Sequence, residues 1–409
     1  MVKEIKIQNY KSVQDLTLEL GRINVLIGAN GCGKSNILEA IVFGSAAADN
    51  KLGKEFLSAR GIRVTEPKAM RSGFDKLSAN QPIIVKINVS NDNIKIEIEH
   101  NNESFSEWKR KIESIELERG KIIISEVKNR LAEIAKIKST HETNSQSITI
   151  GKLLTSLENV DKLSNLINEG ETDTTKAETI FKEFQSNIKQ FSNFLIYAAE
   201  NTFLRKFEDE AQIEPLGIRG EGLFKLLSVM SQETPEQFQE IIENLELIDW
   251  FEGFEIPKDL VFTERRIRIK DRFLEEGLQY FDQRSSNEGF LFLMFYFALF
   301  ISKYTPKFFA IDNIDASLNP KLCAELMKIL TKLAKKHDKQ VIFTTHNPSI
   351  LDGLNLNDDE VRLLVVQRNI DGHTKTKRIL PAIVPEGEIP VRLSEQFTRG
   401  YIGGLPNNF

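Results

Sequence analysis

A chain of 409 residues that is 41% hydrophobic and 28% charged can bury a large core, which excludes a globally disordered protein. Its formal net charge of −5 provides no bulk basic footprint, so contact with nucleic acid has to come from a local patch. The two cysteines, Cys32 and Cys323, lie far apart in sequence. They suggest neither a disulfide framework nor a metal site, as expected of a protein kept in a reducing cytoplasm.

The N-terminus, MVKEIKIQNY, lacks a signal-peptide h-region. Val2–Ile7 and Leu16–Leu20 alternate polar with apolar residues and predict half-buried strands. Ile23–Ile27 (INVLI) reads as a buried strand and runs into Gly28-Ala29-Asn30-Gly31-Cys32-Gly33-Lys34-Ser35, a P-loop pattern, followed by a helical run from Asn36 to Phe43. In such a strand–loop–helix context glycines let backbone N–H groups turn inward as an anion nest, and the helix N-terminus adds partial positive charge. A nucleotide is expected on Asn30, Gly31, Cys32, Gly33, Lys34, Ser35 and Asn36. Lys34 would reach the β- and γ-phosphates, and the Ser35 hydroxyl would ligate Mg²⁺.

Pro82–Val89 and Ile94–Glu99 predict a hairpin, part of an antiparallel sheet beside the nucleotide site. From about residue 101 to 190 charged residues dominate and apolar ones recur at three- and four-residue steps: Val127, Leu131 and Ile134, then Leu153, Leu154, Leu157 and Val160, then Ile180, Phe181, Phe184 and Ile188. This pattern predicts a helical insertion, either an arm for dimerisation or partner docking or a solvated subdomain. Three blocks result: an N-terminal lobe over 1–100, the insertion over 101–190 and a C-terminal lobe over 191–409.

Phe194–Ala198 returns to strand character, and Pro215–Gly222 reads as a tight connector whose Arg219 has the option of facing phosphate. Pro235–Phe251 predicts an amphipathic helix. Arg266, Arg268 and Lys270 share one face of a strand, either a solvated face or a nucleic-acid contact. Phe290–Ile301, the longest apolar run, is shorter than the roughly 20 residues a membrane span needs. A core helix is expected there, and no membrane association.

Phe308–Ile311 followed by Asp312 has the form of a Walker B strand, expected beside the P-loop strand with its carboxylate in the Mg²⁺ shell. Pro320–Lys336 predicts a crossover helix to Val341–Thr345, a parallel unit that brings both strand ends to one sheet edge. His346 is then placed as a γ-phosphate sensor, the alternative being a structural histidine. Val361–Gln367 and Thr374–Leu380, joined through Asp371-Gly372, predict a hairpin. The tail Arg399–Pro406 is too apolar to favour water and is expected to pack on the core or on a partner.

Together the P-loop, the long insertion, Asp312 and the motif Thr344-Thr345-His346-Asn347-Pro348 resemble the ABC-type ATPases of the RecF/SMC group, including OLD-family nucleases and related bacterial antiphage systems. The resemblance implies an α/β P-loop NTPase fold of ABC-head type, with a mixed, largely parallel core sheet, an antiparallel β subdomain and a helical insertion. It implies ATP and Mg²⁺ as cofactors. It also places Lys11 and Ser12 in a nucleotide-contacting turn, Ser286, Asn287, Glu288 and Gly289 at the ABC signature, and Ser317 and Asn319 in the D-loop. In that group two heads close on two ATP molecules, each signature capping the other head's nucleotide.

Two departures stand out: Asn287 occupies the usual signature serine position, and Asn313 the usual Walker B glutamate. With Asp312, Asn313 and His346 as the catalytic set, slow turnover is expected. So is a homodimer or higher homo-oligomer that serves as sensor for a separately encoded effector, a nuclease by family precedent, since too little chain follows His346 for a TOPRIM or HNH domain. The alternatives are a RecF-like ATPase that binds DNA itself and an ATP-gated scaffold that hardly hydrolyses.

Overall fold

A computed structural model describes residues 1–74, 78–89, 92–103, 106–114, 173–207, 215–257, 265–275, 280–382 and 391–405. The apolar steps read at 127–134 and 153–160 lie outside these residues. In chain order the strands are β1 (Val2–Tyr10), β2 (Val13–Glu19), β3 (Ile23–Ile27), β4 (Ile83–Val89), β5 (Asp92–Glu99), β6 (Lys109–Ser114) and β7 (Ile196–Tyr197). They continue with β8 (Phe251–Glu255), β9 (Arg268–Asp271), β10 (Tyr280–Phe281), β11 (Phe308–Ile311), β12 (Gln340–Thr345), β13 (Val361–Arg368) and β14 (Thr374–Ile379). Three sheets form, ordered β2-β1-β4-β5-β6, β10-β9-β8 and β14-β13-β3-β12-β11-β7.

The third sheet organises the molecule. β3 pairs in parallel with β12 on one edge and β13 on the other, and both of its faces are buried, as its short apolar run requires. Its side chains alternate between two cores. Ile23, Val25 and Ile27 enter one with the helix Glu288–Ile301 and the crossover helix Pro320–Lys336. Leu26 enters the other with the P-loop helix Lys34–Ala48 and the antiparallel sheet. Asn24, fully buried, accepts from the Gly21 amide at 2.8 Å and donates to the Gly21 and Val341 carbonyls at 3.0 Å each, so its polarity carries no penalty. Every residue from Phe290 to Ile301 is buried, which is why this helix is apolar all round.

The antiparallel sheet lies on the P-loop helix. A Cβ at Gly44 would stand 2.9 Å from the side chain of Val85, so helix and sheet approach too closely there for any larger residue. Phe43 packs between Tyr10 and Trp108, ring centroids 6.0 and 5.0 Å away. The expected hairpins are present: β4 pairs with β5, and β13 with β14.

Three expectations need correction. β11 does not lie beside β3; β12 stands between them, pairing with both, so the Walker B carboxylate arrives from two strands away. Lys109–Ser114, inside the stretch read as helical, is a strand: its pairing with β5 extends the antiparallel sheet and overrides local charge patterning. The helix Asp173–Ser192 matches the expected period at Ile180 to Ile188. The helix from Pro235 ends at Leu245, because Phe251 is taken by β8 and pairs with β9. Among the described residues no helix is long and apolar enough to cross a membrane.

Candidate nucleotide-binding site

Register brings the chemistry to one edge. Thr345 of β12 and Val365 of β13 both pair with Ile27, the last residue of β3, while Ile311 of β11 pairs with Phe343. The P-loop, Asp312, His346 and Arg368 therefore leave the sheet at the same end. There they line a pocket of about 360 Å³ formed by Asn30, Gly31, Gly33, Lys34, Ser35, Asn36, Arg63, Asp312, Asn313, His346 and Arg368.

The loop has a nest's conformation. Gly31 and Gly33 take φ of 74° and 111°, values only glycine adopts without strain. Gly33 is the N-cap of the P-loop helix and no side chain caps its first amides, which leaves them directed at the pocket. A Cβ at Gly33 would also fall 2.0 Å from Oγ1 of Thr374. Lys34 bridges the loop, donating to the Gly28 and Ala29 carbonyls at 2.7 and 3.2 Å, and burial lowers its pKa. Its Nζ lies 3.4 Å from Nδ1 of His346, whose own pKa is lowered by partial burial and by the Lys34 charge.

Thr344 fixes the Walker B end. Its hydroxyl donates to Oδ1 of Asp312 and accepts from the Asn313 amide at 2.9 Å. Asn313 sits at φ 54°, a left-handed conformation that asparagine tolerates better than most residues. The Thr345 hydroxyl donates to Asp315 at 2.6 Å, which holds the following turn.

Other expected site residues stand apart from the pocket lining. Cys32 is buried beneath the loop, with its carbonyl accepting from Thr374 at 3.0 Å. Ser12 lies 2.7 Å from Thr374 Oγ1 and accepts from Asn36 at 2.7 Å, so it braces the loop from behind. Lys11 pairs with Glu39. Asn287 and Asn319 spend their side chains as helix N-caps, accepting from the amides of Phe290 and Leu322 at 2.8 and 3.0 Å. Ser317, at φ 60°, donates to Glu288, and a Cβ at Gly289 would be 3.3 Å from the Ser317 carbonyl. The two turns expected as signature and D-loop thus form one cluster. Ser286 is buried, and its hydroxyl has no hydrogen-bond partner among the described residues.

Sequence reading missed Arg63, Arg368 and Glu39. The only hint of Glu39 was a lone acid in an apolar helix. Nearly fully buried, it accepts from Arg63 Nε at 2.5 Å, from Lys11, and from the Tyr10 hydroxyl at 3.3 Å. Burial, and then the Glu39 charge, drive the Tyr10 pKa well above its ordinary value. The basic residues of β9 and just before it are partly exposed and ion-paired. Lys270 pairs with Glu252 at 2.5 Å, Arg268 with Glu255 at 3.3 Å and Arg266 with Asp282 at 4.0 Å. Arg219 pairs with Glu221 at 2.7 Å rather than standing free for phosphate.

Residues 23–352 match the family described as AAA domain, putative AbiEii toxin, Type IV TA system. The chain belongs to this AAA-domain family. Its fold is that of a P-loop NTPase of ABC-head type. The match spans the strand before the P-loop through the segment after His346, so it includes every lining residue of the pocket except Arg368. Fifty-two residues are 44% identical to the DNA double-strand break repair Rad50 ATPase of Sulfolobus acidocaldarius, covering 12% of this chain and 6% of that one. Over 112 residues the chain is 31% identical to the uncharacterized protein MJECL10 of Methanocaldococcus jannaschii, covering 26% of this chain and 50% of that one. The chain thus spans half or less of these relatives. In fold it is similar to an SMC head crystallised with the C-winged helix domain of ScpA, at TM-score 0.51 and 14% identity over 93% of this chain and 98% of the other.

The residues of this AAA-domain head fit a Mg²⁺-nucleotide. The glycine cradle, the uncapped helix amides and Lys34 suit phosphate, while Ser35 and Asp312 would supply the hard oxygen ligands Mg²⁺ prefers. Among the described residues no group of three or more His, Cys, Asp or Glu side chains forms a metal site, so phosphate oxygens and water would complete the shell.

Proposed function

We propose that this ATPase head is a slow switch: it closes as a homodimer on ATP and regulates a separately encoded effector in a cytoplasmic bacterial antiphage complex. The observation that carries the reading is Asn313, which lines the pocket next to Asp312 where a glutamate would activate water. Its amide hydrogen-bonds a water but takes no proton near neutral pH. Ser35 and Asp312 would hold Mg²⁺, which would supply charge stabilisation at the phosphates. Lys34 holds the phosphates, Asp312 is oriented by Thr344, and neutral His346 is in reach as a hydrogen-bonding partner of the terminal phosphate.

The family description, which names a putative toxin of a toxin–antitoxin system, supports a regulated role rather than a housekeeping motor. The cluster joining Glu288, Gly289 and Ser317 supports a head that acts on a second nucleotide in trans, because none of these residues lines its own pocket. A second reading, DNA repair, is favoured by the local identity to the Rad50 ATPase. Under that reading Arg266, Arg268 and Lys270 would exchange their exposed acidic partners for DNA phosphate. Light scattering with and without ATP and Mg²⁺ tests the switch. The expected outcome is a dimer only with ATP that persists for many minutes; a monomer at saturating ATP overturns the closed-head reading. Steep loss of DNA binding with rising salt would favour the second reading.

A further inference from the structure

We propose that Arg368 is a positioning residue for the α,β-diphosphate portion of the nucleotide, approaching it from the side of the P-loop opposite Asp312. The inference rests on the ATPase reading of this pocket and adds a residue to it. β13 lies across β3 from β12 and β11, so the sheet order puts Arg368 on the other side of the P-loop strand from Asp312 and His346. Asp312, Asn313 and His346 follow β11 and β12 and mark the side for Mg²⁺ and the γ-phosphate. Arg368, the last residue of β13, lines the pocket from the other side.

Its backbone is held in place. Arg368 pairs with Thr374 across the hairpin, and Thr374 in turn donates to the Cys32 carbonyl at 3.0 Å and lies 2.7 Å from the Ser12 hydroxyl. The strand end is thus tied to the loop that would hold the phosphates. Among the described residues the guanidinium is also uncommitted. Arg63, the other arginine of the pocket, is bound to Glu39 at 2.5 Å, whereas among the described residues no carboxylate pairs with Arg368. An exposed arginine on a site lined by backbone amides is suited to two parallel hydrogen bonds to phosphate oxygens.

Placement away from Asp312 makes the assignment specific. Arg368 would hold the part common to ATP and ADP and would not discriminate between them. Titration calorimetry of ATP and ADP with the full chain tests it, using Arg368→Ala, Arg368→Gln and Arg368→Lys. Loss of a partly exposed charge-assisted pair should weaken both nucleotides about tenfold in Ala and Gln, with Lys retaining part of the affinity. The ATP-to-ADP affinity ratio should stay at its wild-type value, as should the melting temperature without nucleotide. Unchanged affinity for both nucleotides, or a loss confined to ATP, overturns the assignment. Wild-type protein that binds neither nucleotide would instead sink the ATPase reading itself.

Discussion

The ammonium of Lys34 stands 3.4 Å from Nδ1 of His346, joining the helix after β3 to the end of β12 across the mouth of the P-loop. Partial burial, then the Lys34 charge, hold the imidazole below its ordinary pKa of 6.5, so the neutral ring is favoured at pH 7. The folded state resists protonation here, and the unfolded chain binds the extra proton first. Stability should therefore rise with pH up to about 6.5 and fall as acid is added below it. Melting curves on either side of that value should show a steeper acid loss for wild type than for His346→Asn. Equal slopes would mean that the imidazole does not titrate against Lys34.

Lys34→Ala removes the charge that bridges the loop and would face phosphate. Charge-assisted hydrogen bonds of this kind contribute about 1.5–3 kcal/mol each, so ATP affinity should drop at least about tenfold. Calorimetry that returns wild-type affinity would overturn the P-loop assignment.

Asn313→Glu supplies the missing base. General-base assistance typically contributes about 10²–10⁴ in rate, so steady-state ATPase should rise and the ATP-bound dimer should become shorter-lived. The left-handed φ of 54° attaches a cost of about 1 kcal/mol to the same change, because glutamate lacks the local tolerance of asparagine. A mutant no faster than wild type would show that the asparagine is not the brake.

The tail is expected to matter for stability and for the loop. Phe397 and Ile402 are buried, and a Cβ at Gly404 would stand 2.7 Å from Val365 and 3.6 Å from the Cα of Gly28. Ile402→Ala should cost about 2–4 kcal/mol by cavity formation. Gly404→Ala, strained by both the contact and a φ of 87°, should also weaken ATP binding through Gly28. Chemical denaturation and calorimetry on the two variants check this. A truncation of residues 398–409 that unfolds like wild type would refute the packing role.

Local pattern alone was enough for the elements whose side chains meet one environment. The INVLI strand with its glycine loop, the hairpins, the apolar helix Glu288–Ile301 and the Asp312 and His346 strand ends all announce themselves, because burial on a fixed period imposes a readable code. Strand order carried no such code. That β12 stands between β3 and β11 depends on which parallel edges close the sheet, a choice made by long-range pairing. The same holds for Arg368, which becomes a pocket residue only because β13 takes the free side of β3. Glu39 is legible as an oddity in its helix, but its partners Lys11, Tyr10 and Arg63 come from other segments. Lys109–Ser114 became a strand because β5 had an open edge, and edge pairing prevails over a weak local preference. Sequence determined which groups are available for phosphate and Mg²⁺; tertiary pairing decided which of them face the same pocket, because hydrogen-bonded register acts between residues hundreds of positions apart.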